Sequence, residues 1–297
     1  MHIPDGILSA KILAVCGSAS AASVVYSARK AEATTGADRI PMLGVLGAFV
    51  FAAQMVNFPV GPASGHLLGG ALLAASIGPW AASITMTAIL LVQALVFQDG
   101  GVLALAANIF NMAVVGVWAA WLPYRSLSRM GHPRAGLMLG ALLSVLISAV
   151  LALAEVSISS GIVTQGLWLF CLSLFSLTGM IEAAITIAAW EAIERLHGKP
   201  SVDKASSKKL VWVFLASVAV MLAGVFFASG APDVLEYFQH QTGVTSSAVA
   251  FPALFPDYEW RGINTEWLRR AVAGMAGLGI VYALSVLVSR WIPRAQQ

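Results

Sequence analysis

Residues 135–155 read AGLMLGALLSVLISAVLALAE. No charge occurs through position 154, and a helix of that length crosses a hydrocarbon core of roughly 30 Å. Apolar stretches of similar length recur along the chain. Of 297 residues, 59% are hydrophobic and 10% charged, against about 25% charged in soluble proteins. Only helices or closed barrels span a bilayer, and these runs lack the period-two alternation of a barrel. The sequence therefore predicts an all-α, polytopic membrane helix bundle.

Working outward from that stretch, about nine transmembrane helices are expected. They cover roughly 7–28, 41–58, 65–79, 81–97, 101–122, 135–155, 162–191, 210–229 and 269–292. The third and fourth are short, and IGPW between them predicts a tight helical hairpin. The longest polar stretch, RLHGKPSVDKASSKK, divides the chain. Residues 1–192 form a seven-helix module, 193–209 a cytoplasmic linker, and 210–297 a two-helix module with an outer loop over 230–268. Cys16 and Cys171 lie inside apolar runs and read as buried small hydrophobes, with no disulfide framework or zinc spacing.

Loop charges orient the bundle. Counting spans puts Arg29, Lys30, Arg39, Arg125, Arg129, Arg134, Arg195, Lys199, Lys204, Lys208, Lys209, Arg290 and Arg294 on one side. Only Lys11, Arg261, Arg269 and Arg270 fall near the other. The positive-inside rule makes the first side cytoplasmic. The expectation is a multi-pass protein of the cytoplasmic (inner) membrane, N-terminus extracytoplasmic and C-terminus cytoplasmic. The net charge of +3 sits in loops and gives no sign of a nucleic-acid partner; the surrounding lipid is the partner composition implies.

The chain starts MHIPDG, and Met-His has metal-binding chemistry. The amine, the deprotonated His2 amide and the His2 imidazole close a five- and a six-membered chelate ring. They leave three nitrogens in one plane. A fourth nitrogen would complete a square, which suits Ni(II) or Cu(II) and suits zinc poorly. His66, in GPASGHLLGG, is the candidate fourth ligand; His240 is a weaker alternative, while His132 and His197 fall on the cytoplasmic side. The plain alternatives are a chance residue at a frayed terminus for His2 and a capping or packing role for His66. Gln93, Asn108 and Asn111 are polar groups at membrane depth, suited to joining helices or to supporting a ligand from behind. Asp99, in FQDGG, serves either the turn or the site. Glu182, inside the seventh span, is a candidate functional carboxylate, with a structural hydrogen bond as its rival role.

MHIPDG, SGHLLGG and FQDGGVLALAANIFNMA resemble the CbiM/NikM family, the substrate-binding S components of energy-coupling factor transporters for cobalt and nickel. The resemblance covers the first seven spans. APDVLEYFQHQTG and FPALFPDYEW resemble the small NikN/CbiN-type partner with its PDGLE stretch, fused here as in NikMN-like layouts; Val234 stands where that pattern has glycine. The resemblance implies that Met1, His2 and His66 bind Ni(II), with Co(II) as the alternative, as transported substrate. It implies a transmembrane T component (CbiQ/NikQ-like) and cytoplasmic ATPase subunits (CbiO/NikO-like). No G-x-x-x-x-G-K-[ST] motif and no nucleophile–base set occur, so no enzyme activity is expected of this chain. A different class, a secondary metal permease coupled through Glu182, is the competing expectation.

Overall fold

The computed structural model describes residues 1–34, 40–197, 207–227, 229–244 and 251–290. Arg39, Lys199, Lys204, Arg294 and the centre of the expected linker lie outside the described residues. The helices are α1 (Ala10–Thr34), α2 (Ile40–Gln54), α3 (Gly70–Ile77), α4 (Pro79–Val92), α5 (Leu105–Asn108) and α6 (Val117–Arg129). They continue with α7 (Pro133–Ser160), α8 (Gln165–His197), α9 (Ser207–Phe227), α10 (Val234–Thr242) and α11 (Glu266–Arg290). Among the described residues, seven helical stretches are long and apolar enough to cross a membrane. Pro41–Gln54 is apolar but shorter.

The expected third span differs in its first half. Residues 57–66 form an antiparallel hairpin of β1 (Asn57–Val60) and β2 (Ala63–His66), in register Asn57↔His66 and Val60↔Ala63. Gly61 turns the chain at φ 62°, a conformation open to glycine and adverse to other residues. Proline at 59 and 62 removes the donors a helix would need there. Helix begins only at Gly70, so His66 sits at the end of a strand rather than inside a span. The break at Gly78 and Pro79, with proline in the first helical turn of α4, makes the expected hairpin of α3 and α4.

The fourth and fifth spans depart from regular α-helix where they approach the site. Gln93–Phe97 ends α4 as π-helix, and Ile109–Gly116 joins α5 to α6 the same way. Such stretches recur at functional positions because the extra residue per turn re-aims side chains. The C-terminal module does not stand apart. Helices α9 and α11 pack on α2, while α10 packs on α8 and β2. Ser64 ties the modules together: its amide donates to Pro232 O at 2.8 Å and its hydroxyl to Ala231 O at 2.8 Å.

Candidate metal centre

The N-terminal residues are threaded into the bundle instead of fraying. Met1 is 5% exposed, His2 6% and Ile3 0%. Asn108 holds both sides of the Ile3 backbone: the Ile3 amide donates to Oδ1 at 2.9 Å and Nδ2 donates to Ile3 O at 3.1 Å. The Gly101 amide donates to the same carbonyl at 2.9 Å. Two residues on, Asp5 accepts from the Leu103 amide at 2.8 Å. The strap and the loop after α4 therefore lie backbone against backbone. A Cβ at Gly101 would stand 2.2 Å from Asp5 Oδ1 and 2.7 Å from the Pro4 carbonyl carbon, so only glycine fits.

His66 is positioned by the turn that follows it. Glu182, 0% exposed, accepts from the Leu68 amide at 2.6 Å and the Gly69 amide at 2.9 Å. Gln54 Nε2 donates to Leu68 O at 2.6 Å, and Gln93 Nε2 donates to Gln54 Oε1 at 2.7 Å. Within this frame His66 Nδ1 lies 3.1 Å from Leu67 O, which fixes the proton on Nδ1 and leaves Nε2 as an acceptor. That Nε2 faces the Met1 amine at 2.8 Å. The His2 and His66 rings are parallel within 3°, centroids 5.2 Å apart. His2 Nδ1 meets Asp99 Oδ1 at 3.0 Å, and His2 Nε2 is buried with no partner.

The C-terminal module completes the surroundings. Asp233 divides its carboxylate: Oδ1 accepts from the Leu235 and Glu236 amides as the N-cap of α10, and Oδ2 pairs with the Met1 ammonium. Tyr258 donates its hydroxyl to Asp99 Oδ2 at 2.5 Å and stacks on Phe97 at 4.6 Å. Burial, then the positive N-terminus and the His2 ring, push His66 down to about 3, so its imidazole is neutral at physiological pH. Burial works against the charge of Asp99, but the His2 imidazole, by charge and hydrogen bond, holds its carboxyl well below the usual range. In Asp233 burial is likewise outweighed, here by the terminal ammonium, and the carboxyl is held low. Burial, then the adjacent Asp99 carboxylate, raises the Tyr258 hydroxyl well above its ordinary value.

Met1, His2, His66 and Asp99 thus converge, Asn108 anchors the neighbouring Ile3 backbone, and Gln93 and Glu182 support the His66 turn. Asn111 does not join them. Its Nδ2 donates to Glu155 Oε2 at 2.8 Å, and Cys16 Sγ meets Glu155 Oε1 at 3.3 Å, a separate buried cluster between α1 and α7. Asp233 and Tyr258 escaped the sequence reading. Asp233 lies in the quoted APDVLEYFQHQTG stretch and has capping-box spacing to Glu236, signals that mark a module and a helix start but say nothing of a distant amine. Among the described residues no three His, Cys, Asp or Glu side chains converge closely enough to hold a metal ion. The centre opens into a cavity of about 480 Å³ bordered by both modules.

Residues 2–200 match the family described as cobalt uptake substrate-specific transmembrane region, and residues 208–294 match the PDGLE domain. The putative fused nickel transport protein NikMN of Archaeoglobus fulgidus is 30% identical over 303 residues, covering 98% of this chain and 99% of that one. The probable fused nickel transport protein LarMN of Lactiplantibacillus plantarum is 36% identical over 200 residues, 64% of this chain and 60% of that one. A crystal structure of a truncated transition metal transporter superposes with a TM-score of 0.60 at 29% identity, covering 66% of this chain and all (100%) of that one.

Proposed function

Since the chain belongs to the family of cobalt uptake substrate-specific transmembrane regions, with a PDGLE domain at its C-terminal end, we propose that it captures Ni(II) in a four-nitrogen, square-planar site at the extracytoplasmic face. It is a multi-pass membrane component of nickel/cobalt transition-metal transport. The ligands are the Met1 amine, the His2 amide and imidazole, and His66 Nε2. Co(II) is the alternative cargo for the same nitrogens. A transmembrane T component and cytoplasmic ATPases supply the driving force, in keeping with the absence of a phosphate-binding loop from this sequence.

The observation that carries this reading is the meeting of the Met1 amine with His66 Nε2 at 2.8 Å, beside a His2 ring that has one buried nitrogen without a partner. An amine donating to an unprotonated imidazole nitrogen sets two ligand-type nitrogens side by side, with Asp233 balancing the charge while the metal is absent. Chelation through His2 Nδ1 draws that nitrogen off Asp99 by rotation about χ2. Asp99 then serves to orient the ring's other nitrogen, as carboxylates commonly do for ligating histidines. Glu182 is occupied by two backbone amides, which supports a structural acceptor over a proton-coupling carboxylate.

A matched pair of tagged chains tests the assignment. Adding Gly-Ser ahead of Met1 converts the amine into a peptide amide and pushes the strap out of a space with no room. A C-terminal tag does neither. The C-terminally tagged chain should bind about one nickel per molecule on the notion of one four-nitrogen site, and the extended chain none. Equal affinity in the two would end the terminal-chelate assignment.

A further inference from the structure

We propose that the cavity between the two modules is an electrostatic antechamber that gathers the hydrated divalent cation ahead of the nitrogen ligands, and that Glu236 and Asp257 of the C-terminal module set its capture rate. This rests on the nitrogen site proposed above and adds the form in which the metal arrives.

The cavity holds about 480 Å³. A dication with six waters needs roughly 200 Å³ at about 30 Å³ per water, so the ion fits with its hydration shell intact. His2 and His66 border it from the first module, and Asp233, Glu236, Asp257 and Glu259 from the second. Two of its features point to a cation. First, His2 Nε2 on this wall is buried without a partner, on a residue 6% exposed. Second, the charges are lopsided. Asp99, Asp233, Glu236, Asp257, Glu259 and, behind them, Glu266 face only Arg269, Arg270 and the terminal ammonium. Three negative charges are left over.

The lining also disfavours an anionic chelate as cargo. Arg270 lines the cavity, but its guanidinium is held by Glu259 at 3.1 Å and Glu266 at 3.1 Å. A carboxylate on an incoming chelator would meet no uncommitted cation among the described lining residues. A cleft whose lining carries a net charge of one sign concentrates counter-ions and raises association rates. That matters for nickel, whose bound waters exchange slowly. The ion must linger beside the ligands before substitution, and the number waiting in the antechamber scales the rate. Neither Glu236 nor Asp257 touches a ligand. Both are exposed, so neutralising them leaves the nitrogen set in place.

Conservative variants isolate the charge. Glu236→Gln keeps a capping-box partner for Asp233, since glutamine serves there as glutamate does. Asp257→Asn keeps a residue that tolerates φ 56°. The full-length chain in detergent is mixed with nickel salt alone, and rates are read by stopped flow across ionic strengths. The double variant should associate about three- to tenfold more slowly at low salt, with a flatter salt dependence and an unchanged dissociation rate. The comparison is Glu32→Gln/Glu194→Gln, which removes the same charge far along α1 and α8 and should associate at the wild-type rate. An unchanged association rate in the first pair, or an equal drop in the second, overturns the antechamber while leaving the nitrogen site standing. A faster dissociation with normal association would make these residues ligands and overturn it too. Failure of the wild-type chain to bind nickel would remove the underlying site, and the antechamber with it.

Discussion

Replacing Asn108 with alanine removes no ligand yet should weaken metal binding severely. The amide is 3% exposed and holds Ile3 by two hydrogen bonds. Without it the Ile3 amide is left buried with no acceptor, at about 1–3 kcal/mol. The Ile3 carbonyl keeps the Gly101 amide, so the second loss is one ordinary hydrogen bond, about 1 kcal/mol. Together the seated strap loses about 2–4 kcal/mol, and at 1.4 kcal/mol per decade that is about thirtyfold to a thousandfold. Only the seated strap presents three nitrogens, so apparent affinity falls with its population. Nickel titration of the purified protein gives the affinity, and far-UV circular dichroism checks that the helices persist. Asn111→Ala is the control three residues on. It loses the bond to Glu155 and should lower thermal stability while moving affinity by less than about threefold, because it touches nothing in the strap. Equal effects of the two substitutions, or an Asn108→Ala affinity within twofold of wild type, would refute the reasoning.

Gly101→Ala should abolish binding with normal membrane insertion, since its Cβ would collide with the Asp5 backbone nitrogen at 2.5 Å; a retained nickel stoichiometry would show that strap and loop can part. Glu182→Ala orphans two buried amides beside His66 and should cost more metal affinity than Glu182→Gln, which keeps one acceptor; uptake lost equally in both would instead favour proton coupling. Binding should weaken on acidification, because every ligating nitrogen must be free of its proton and the His2 amide must lose one to ligate. His66, pushed down to about 3, contributes no proton at neutral pH. Calorimetry in buffers of different ionisation enthalpy counts the protons released, and a count of zero would remove the amide from the ligand set.

The helical class was legible because run length alone marks a span, and the approach of His2 to His66 because both fall at the same end of their expected spans. The start of the third span was not. Residues 65–69 are apolar enough to belong to a helix, but Gly65 and His66 pair with Phe58 and Asn57 as strand, and helix starts only at Gly70. Asn108 and Asn111 look alike in the sequence and part company because π-helix at Ile109–Gly116 separates their faces. Glu155 obeys the same intramembrane-carboxylate rule that singled out Glu182, and applying it evenly would have found the Asn111 and Cys16 cluster. Asp233 and Tyr258 were beyond reach, since a cap and a turn tyrosine carry no mark of a partner more than a hundred residues away.

The tie between Met1 and Asp233 also has a timetable. Met1 is made 65 residues ahead of His66 and 232 ahead of Asp233. At about 5–20 residues per second, the amine waits roughly ten to fifty seconds for its carboxylate. Throughout that interval it stands exposed to whatever trims or modifies new chains. The nitrogens are thus written long before the carboxylate that pairs with the amine, and the strap gains its last partner only when the C-terminal module reaches it.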